Sequence, residues 1–130
     1  MTAQNADLIR GAYDAFARAD VPAVFEVLHQ DITWHVPGSS PLSGDYQGHG
    51  EVGGFFARTM ELSGGTFAID IEDVLAREDR VVVLCTVSAE RQGQSWSSDE
   101  VHVWRMAGAR ALDFREFQGA EQAEDAFWSS

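Results

Sequence analysis

Toward the C-terminal end lies an alternating run, Glu100-Val101-His102-Val103-Trp104-Arg105-Met106, and beyond Ala107-Gly108-Ala109 a second one reaches from Arg110 to Phe117. Side chains two apart share a strand face, so Glu100, His102, Trp104 and Met106 point one way while Val101, Val103 and Arg105 point the other. A hairpin turning about Gly108 sets Met106 opposite Arg110, Trp104 opposite Leu112, His102 opposite Phe114 and Glu100 opposite Glu116. One face then unites Trp104, Met106, Leu112 and Phe114 with Glu100, His102 and Glu116, and it is the better candidate for the inside. Two carboxyl groups and an imidazole in apolar surroundings suit general acid and base catalysis, because desolvation and like-charge repulsion raise a carboxyl pKa towards neutrality. One acid then stays protonated while another acts as base. The plain alternative is a solvated polar cluster at the open edge of a sheet, and a one-residue slip would turn every member outward.

Tyr13 lies on or beside the apolar stripe of a first helix, where it is either a core aromatic or an inward hydroxyl able to donate to an oxyanion. His35 alternates with Trp34 in Ile32-Thr33-Trp34-His35-Val36. Only one of the two can face inward; Trp34 inside and His35 partly exposed is the expected arrangement, with His35 kept among the candidate catalytic residues. The four histidines show no HExxH spacing and no CxxC partner, so no metal site is expected. Gly48-His49-Gly50-Glu51-Val52-Gly53 matches GxGxxG formally, but a long loop and hairpin-joined strands replace the parallel βαβ context, and a flexible mouth loop is the expected reading. The serines between Gly38 and Gly44 lack a GxSxG elbow. Cys85, inside Val81-Val82-Val83-Leu84-Cys85-Thr86-Val87, reads as a buried packing residue.

The elements that must position these groups follow from periodicity. Leu8, Ile9, Ala12, Tyr13 and Phe16 recur at helical spacing from about Ala3 to Arg18, and Asp20 caps a second short helix with Pro22 in its first turn. A strand over Ile32–Val36 stops at Pro37-Gly38, and Gly, Ser and Pro predict a loop up to Gly50. Val52, Phe55, Phe56 and Met60 mark a third helix ended by Ser63-Gly64-Gly65. Four β-rich runs follow, Thr66–Ala76, Val81–Glu90, Ser95–Met106 and Arg110–Phe117, joined by short turns that make neighbours antiparallel. The acidic tail can form a short helix docking Phe127 and Trp128. The result is an α+β chain in which three helices cover a curved antiparallel sheet and leave a pocket walled by Phe16, Trp34, Phe56, Trp104 and Phe114.

At 130 residues and 14.3 kDa the chain has the size of one domain, expected over 1–130, and its 45% hydrophobic content suffices for a core. A formal net charge of −12 argues against nucleic acid and against anionic membrane surfaces as partners. With one cysteine there is no disulfide framework, and without a basic and apolar leader or an apolar run near 20 residues a cytoplasmic protein is expected.

The order of elements, Ile32-Thr33-Trp34-His35-Val36-Pro37-Gly38 with the glycines before the third helix, His102-Val103-Trp104-Arg105 and the closing Asp125-Ala126-Phe127-Trp128 carry a likeness over nearly the whole length. The chain resembles the SnoaL-like branch of the NTF2-like superfamily, which includes polyketide cyclases and is similar to ketosteroid isomerase. The resemblance implies a cone-shaped sheet, an acid/base residue at Glu116 near His102, and an oxyanion tyrosine at Tyr13. Where the isomerases carry a general-base aspartate before a proline, this chain has Val36; only neighbouring His35 could substitute, and alternation aims it at the opposite face. Many relatives also carry an acidic residue where this chain has Gln118-Gly119. The implied activity is a cofactor-independent isomerase, cyclase or dehydratase acting on a hydrophobic carbonyl-containing metabolite. The alternative is a non-catalytic small-ligand-binding or assembly module. A homodimer is expected from the resemblance and from Val101, Val103 and Phe117 on the outer face.

Overall fold

The stripe of Ile9, Ala12 and Ala15 is buried along helix α1 (Thr2–Ala17) in the computed structural model, which describes residues 2–130. The chain reverses at Ala19 in the left-handed region, and Asp20 then caps α2 (Val21–Val27), its carboxylate accepting from the Ala23 N–H at 3.3 Å. Strand β1 (Leu28–Val36) follows without a linker and is longer than the sequence predicts.

The stretch predicted as loop contains a short strand, β2 (Gly44–Gln47), which pairs antiparallel with β1 and runs directly into α3 (Gly48–Ser63). A four-residue edge strand carrying one apolar side chain, Tyr46, has too little alternation to be seen beforehand. Strands β3 (Ala68–Arg77), β4 (Arg80–Arg91), β5 (Gln94–Ala107) and β6 (Arg110–Gln118) form the predicted meander. A fourth helix, α4 (Glu121–Ser129), ends the described chain.

The sheet order is β2-β1-β6-β5-β4-β3. Every hairpin pair is antiparallel, but β1 and β6 run parallel, so the sheet is mixed where the sequence predicts it antiparallel throughout. No turn joins these two strands, and nothing local sets their direction. Register breaks in the β3–β4, β5–β6 and β1–β6 pairs bend the sheet. Its concave face packs on α1 and α3 around one large apolar cluster, while Phe127 and Trp128 of α4 bury with Leu42 and Ala89 against Trp96 at the far end.

The turn after β1 meets α4 at Gly38. This glycine holds φ +92, and a Cβ there would collide with Asp125 Oδ1. The close approach lets the Ser39 N–H donate to Asp125 Oδ1 at 3.1 Å, fastening α4 to the turn after β1. Among the described residues no helix is long and apolar enough to cross a membrane.

Candidate active site

The β5–β6 hairpin places His102 opposite Glu116, Trp104 opposite Phe114 and Glu100 opposite Gln118. This corrects the predicted register. Ala107 and Arg110 flank a tighter turn than one centred on Gly108, and a bulge in β6 adds a second residue of offset. The total shift of two keeps Glu116 and Phe114 on the same face as His102. Near the turn the parity differs: Ala111 is fully buried, while Leu112 is only partly covered and Arg110 is exposed, against the prediction for both.

Inside the sheet the polar groups form a chain. Tyr13 Oη lies 2.6 Å from His102 Nδ1, His102 Nε2 lies 2.9 Å from Glu100 Oε1, and Trp104 Nε1–H donates to Tyr13 Oη at 3.1 Å. Glu100 and His102 are buried, at 4% and 3% exposure. Glu116 is partly covered, and its Oε2 accepts from Gln118 Nε2 at 2.7 Å. Helix α4 contributes Glu124, buried and close enough to Glu100 for each to shift the other's pKa. Sequence reasoning missed Glu124. Its spacing of three and four residues from Phe127 and Trp128 puts it on their helix face, and that was the available signal.

Burial governs the electrostatics. It raises the pKa of Glu100, with Glu116 adding like charge, and it raises Glu116, against the opposing pull of His102 and the Gln118 hydrogen bond. Glu124 is pushed up to about 10 by burial and then by Glu100, and the Cys85 thiol up to about 12 by burial and then by Glu100 and Glu116. His102 is lowered to about 4 by burial, against Glu116, so its imidazole is neutral at pH 7. Tyr13 is raised by burial and stays a phenol.

A neutral imidazole lets the chain hold its protons in two ways. With Glu100 ionised, Nε2–H donates to it and Tyr13 donates to Nδ1, leaving the phenol no hydrogen to spare. With Glu100 protonated, the carboxyl donates to Nε2, Nδ1–H donates to Tyr13, and the phenol O–H is free for a ligand. The raised carboxyl pKa favours the second form. Glu100, His102 and Glu116 also bring ligand atoms within 4.8 Å of one another, the closest approach to a metal set among the described residues. Both imidazole nitrogens are already engaged, however, and a cation would have to displace Tyr13 or Glu100.

All five predicted wall residues, Phe16, Trp34, Phe56, Trp104 and Phe114, line one cavity together with Tyr13, Glu100, His102 and Glu116. Trp34 stacks on Phe114 at 3.8 Å because β1 and β6 pair these two residues. A hollow between α1, α3 and β3 shares Tyr13, Phe16, Phe56, Phe67 and Ile69 with the cavity.

His35 is not part of this site. It lies on the opposite sheet face, with Nδ1 2.7 Å from Asp45 and Nε2 3.1 Å from Asp113, as strand alternation with a buried Trp34 requires. The glycine-rich segment proves to be the first turn of α3 and not a mouth loop. A strand does precede it, but β2 runs antiparallel to its neighbour, outside the parallel unit of a dinucleotide fold. His49 there bonds the Leu28 carbonyl at 2.9 Å. Cys85 is buried, as predicted.

Known proteins share this fold. A SnoaL-like domain is matched over residues 9–114. An uncharacterised protein of Mycobacterium tuberculosis is 30% identical over 124 residues, 95% of each chain. Bal32a, from a soil-derived mobile gene cassette, has a TM-score of 0.94 at 32% identity over 98% of each chain. TerC, crystallised with polyporic acid, has a TM-score of 0.85 at 23% identity over 95% of this chain and 98% of its own, a likeness of fold. With its curved sheet, helical cover and matched sequence, the chain belongs to the SnoaL-like family, of NTF2-like fold.

Proposed function

We propose that the cavity is the active site of a cofactor-independent acid/base enzyme that moves a proton next to the carbonyl of a small hydrophobic compound, in an isomerisation, cyclisation or dehydration. The observation that carries this is Glu116 facing the Tyr13–His102–Glu100 chain at the polar end of an aromatic cavity. The Glu116 carboxylate takes the proton from the α-carbon, and the C–H electron pair becomes the enolate. Burial makes this carboxylate a stronger base than one in water. Tyr13, held through His102 by protonated Glu100, donates to the developing oxyanion. Protonated Glu116 returns its proton to carbon or to a leaving group. That TerC, of the same fold, was crystallised with polyporic acid supports a cavity that accepts small organic molecules.

The test is exchange of the α-hydrogens of 1-indanone in D2O, followed by NMR. The protein is expected to accelerate exchange above buffer, and Glu116→Gln to lower the rate by about 100-fold or more. A variant within threefold of the parent would remove Glu116 as the base. Binding of indanone with no exchange above buffer would leave a ligand-binding module. We place the partner copy of a homodimer on the outer sheet face, where Phe117 stands 50% exposed beside Val101 and Val103.

A further inference from the structure

The polar hydrogens facing the cavity can be accounted for one by one. Thr59 Oγ1–H donates to the Phe55 carbonyl at 2.9 Å, and Trp104 Nε1–H to Tyr13. The imidazole N–H is taken by Glu100 in one protonation form and by Tyr13 in the other. Trp34 differs. It lines the cavity at 5% exposure, and its Nε1 has no hydrogen-bond partner among the described residues.

The ring has little freedom to look elsewhere. Phe114 covers one face at 3.8 Å, while Phe56 and Trp104 meet it in edge contacts at 5.4 and 5.5 Å. Buried N–H groups are paired almost without exception, since an unpaired one forfeits its hydration with nothing in return. An orphan donor held in a ligand cavity is accounted for if the acceptor arrives with the ligand. Among the described residues nothing supplies one.

We propose that Trp34 Nε1–H is the fixed donor that receives the ligand's carbonyl oxygen, so that the cavity selects compounds with an oxygen acceptor over hydrocarbons of the same shape. Unlike the phenol of Tyr13, this donor is available in both protonation forms of the chain. Trp34 therefore sets ligand orientation and specificity, with Tyr13 as the second donor when Glu100 holds its proton. The inference rests on the reading of the cavity as a carbonyl site, but it is tested by binding and not by turnover.

The probes are 1-indanone and indane, which differ by one oxygen. The parent is expected to bind the ketone more tightly, and Trp34→Phe, which keeps an aromatic ring against Phe114, to reduce that preference, the ratio of ketone to indane affinity, by about five- to tenfold, the worth of one neutral hydrogen bond. In the 15N-labelled parent, the Trp34 indole N–H resonance is expected to move downfield with the ketone and to stay in place with indane. This second measurement decides the matter if the variant does not fold. An unchanged preference in Trp34→Phe, an indole resonance indifferent to bound ketone, or no binding of the ketone up to its solubility limit would each overturn the proposal. Loss of exchange in Glu116→Gln with the ketone preference intact leaves Trp34 assigned. Exchange that persists while Trp34→Phe keeps the preference overturns Trp34 alone.

Discussion

Glu124 shows how burial turns a surface residue type into a proton store. Its carboxyl has one oxygen without a partner and a pKa pushed up to about 10, so it is protonated at neutral pH beside Glu100. The unfolded chain ionises this group near the ordinary carboxyl value, so between there and pH 10 the folded state holds the extra proton and stability falls as pH rises. His102 acts on the acid side: with its folded pKa lowered to about 4, it withdraws stability as pH falls below its unfolded value near 6.5. Urea midpoints at pH 7 and pH 9 should therefore show the parent weaker at pH 9, and Glu124→Gln, which cannot ionise, should lose less over that interval. An equal loss in both proteins would mean that Glu124 is ionised when folded.

At the level of elements, the clasp between the turn after β1 and α4 fastens the last helix at the far end of the sheet. Gly38 takes a backbone conformation that other residues adopt at a cost, and its missing Cβ is the space Asp125 fills. Gly38→Ala is expected to cost about 1–3 kcal/mol through the two effects together, read as a lower midpoint in thermal unfolding. Asp125→Asn should cost less, since an amide oxygen still accepts from the Ser39 N–H. If Gly38→Ala unfolds with the parent, the clasp contributes nothing. The same helix carries Glu124 to Glu100, next to the Tyr13–His102–Glu100 hydrogen-bonded chain.

For the whole molecule, the sheet has two faces with opposite uses. The concave face holds the cavity, and the outer face carries exposed Phe117 among partly covered Val101 and Val103. His35, tied to Asp45 and Asp113, is a polar fixture of that outer face. Light scattering is expected to give twice the 14.3 kDa of one chain, and Phe117→Asp to shift the mass towards the monomer. A parent protein that is monomeric at micromolar concentration would exclude the assembly.

Alternation and helical spacing alone were sufficient to assign the meander, to put Glu100, His102 and Glu116 on one face, and to choose Trp34 over His35 for the interior. These are properties of a single strand or helix, and a period of two or 3.6 survives in the order of residues. Pairings across the molecule do not survive there. The parallel contact of β1 with β6, the bulge that slid His102 opposite Glu116, the strand β2 and the arrival of Glu124 beside Glu100 each depend on where separate elements come to rest. Faces follow from local geometry, whereas register and proximity follow from packing, and the chemistry of this cavity is set by proximity.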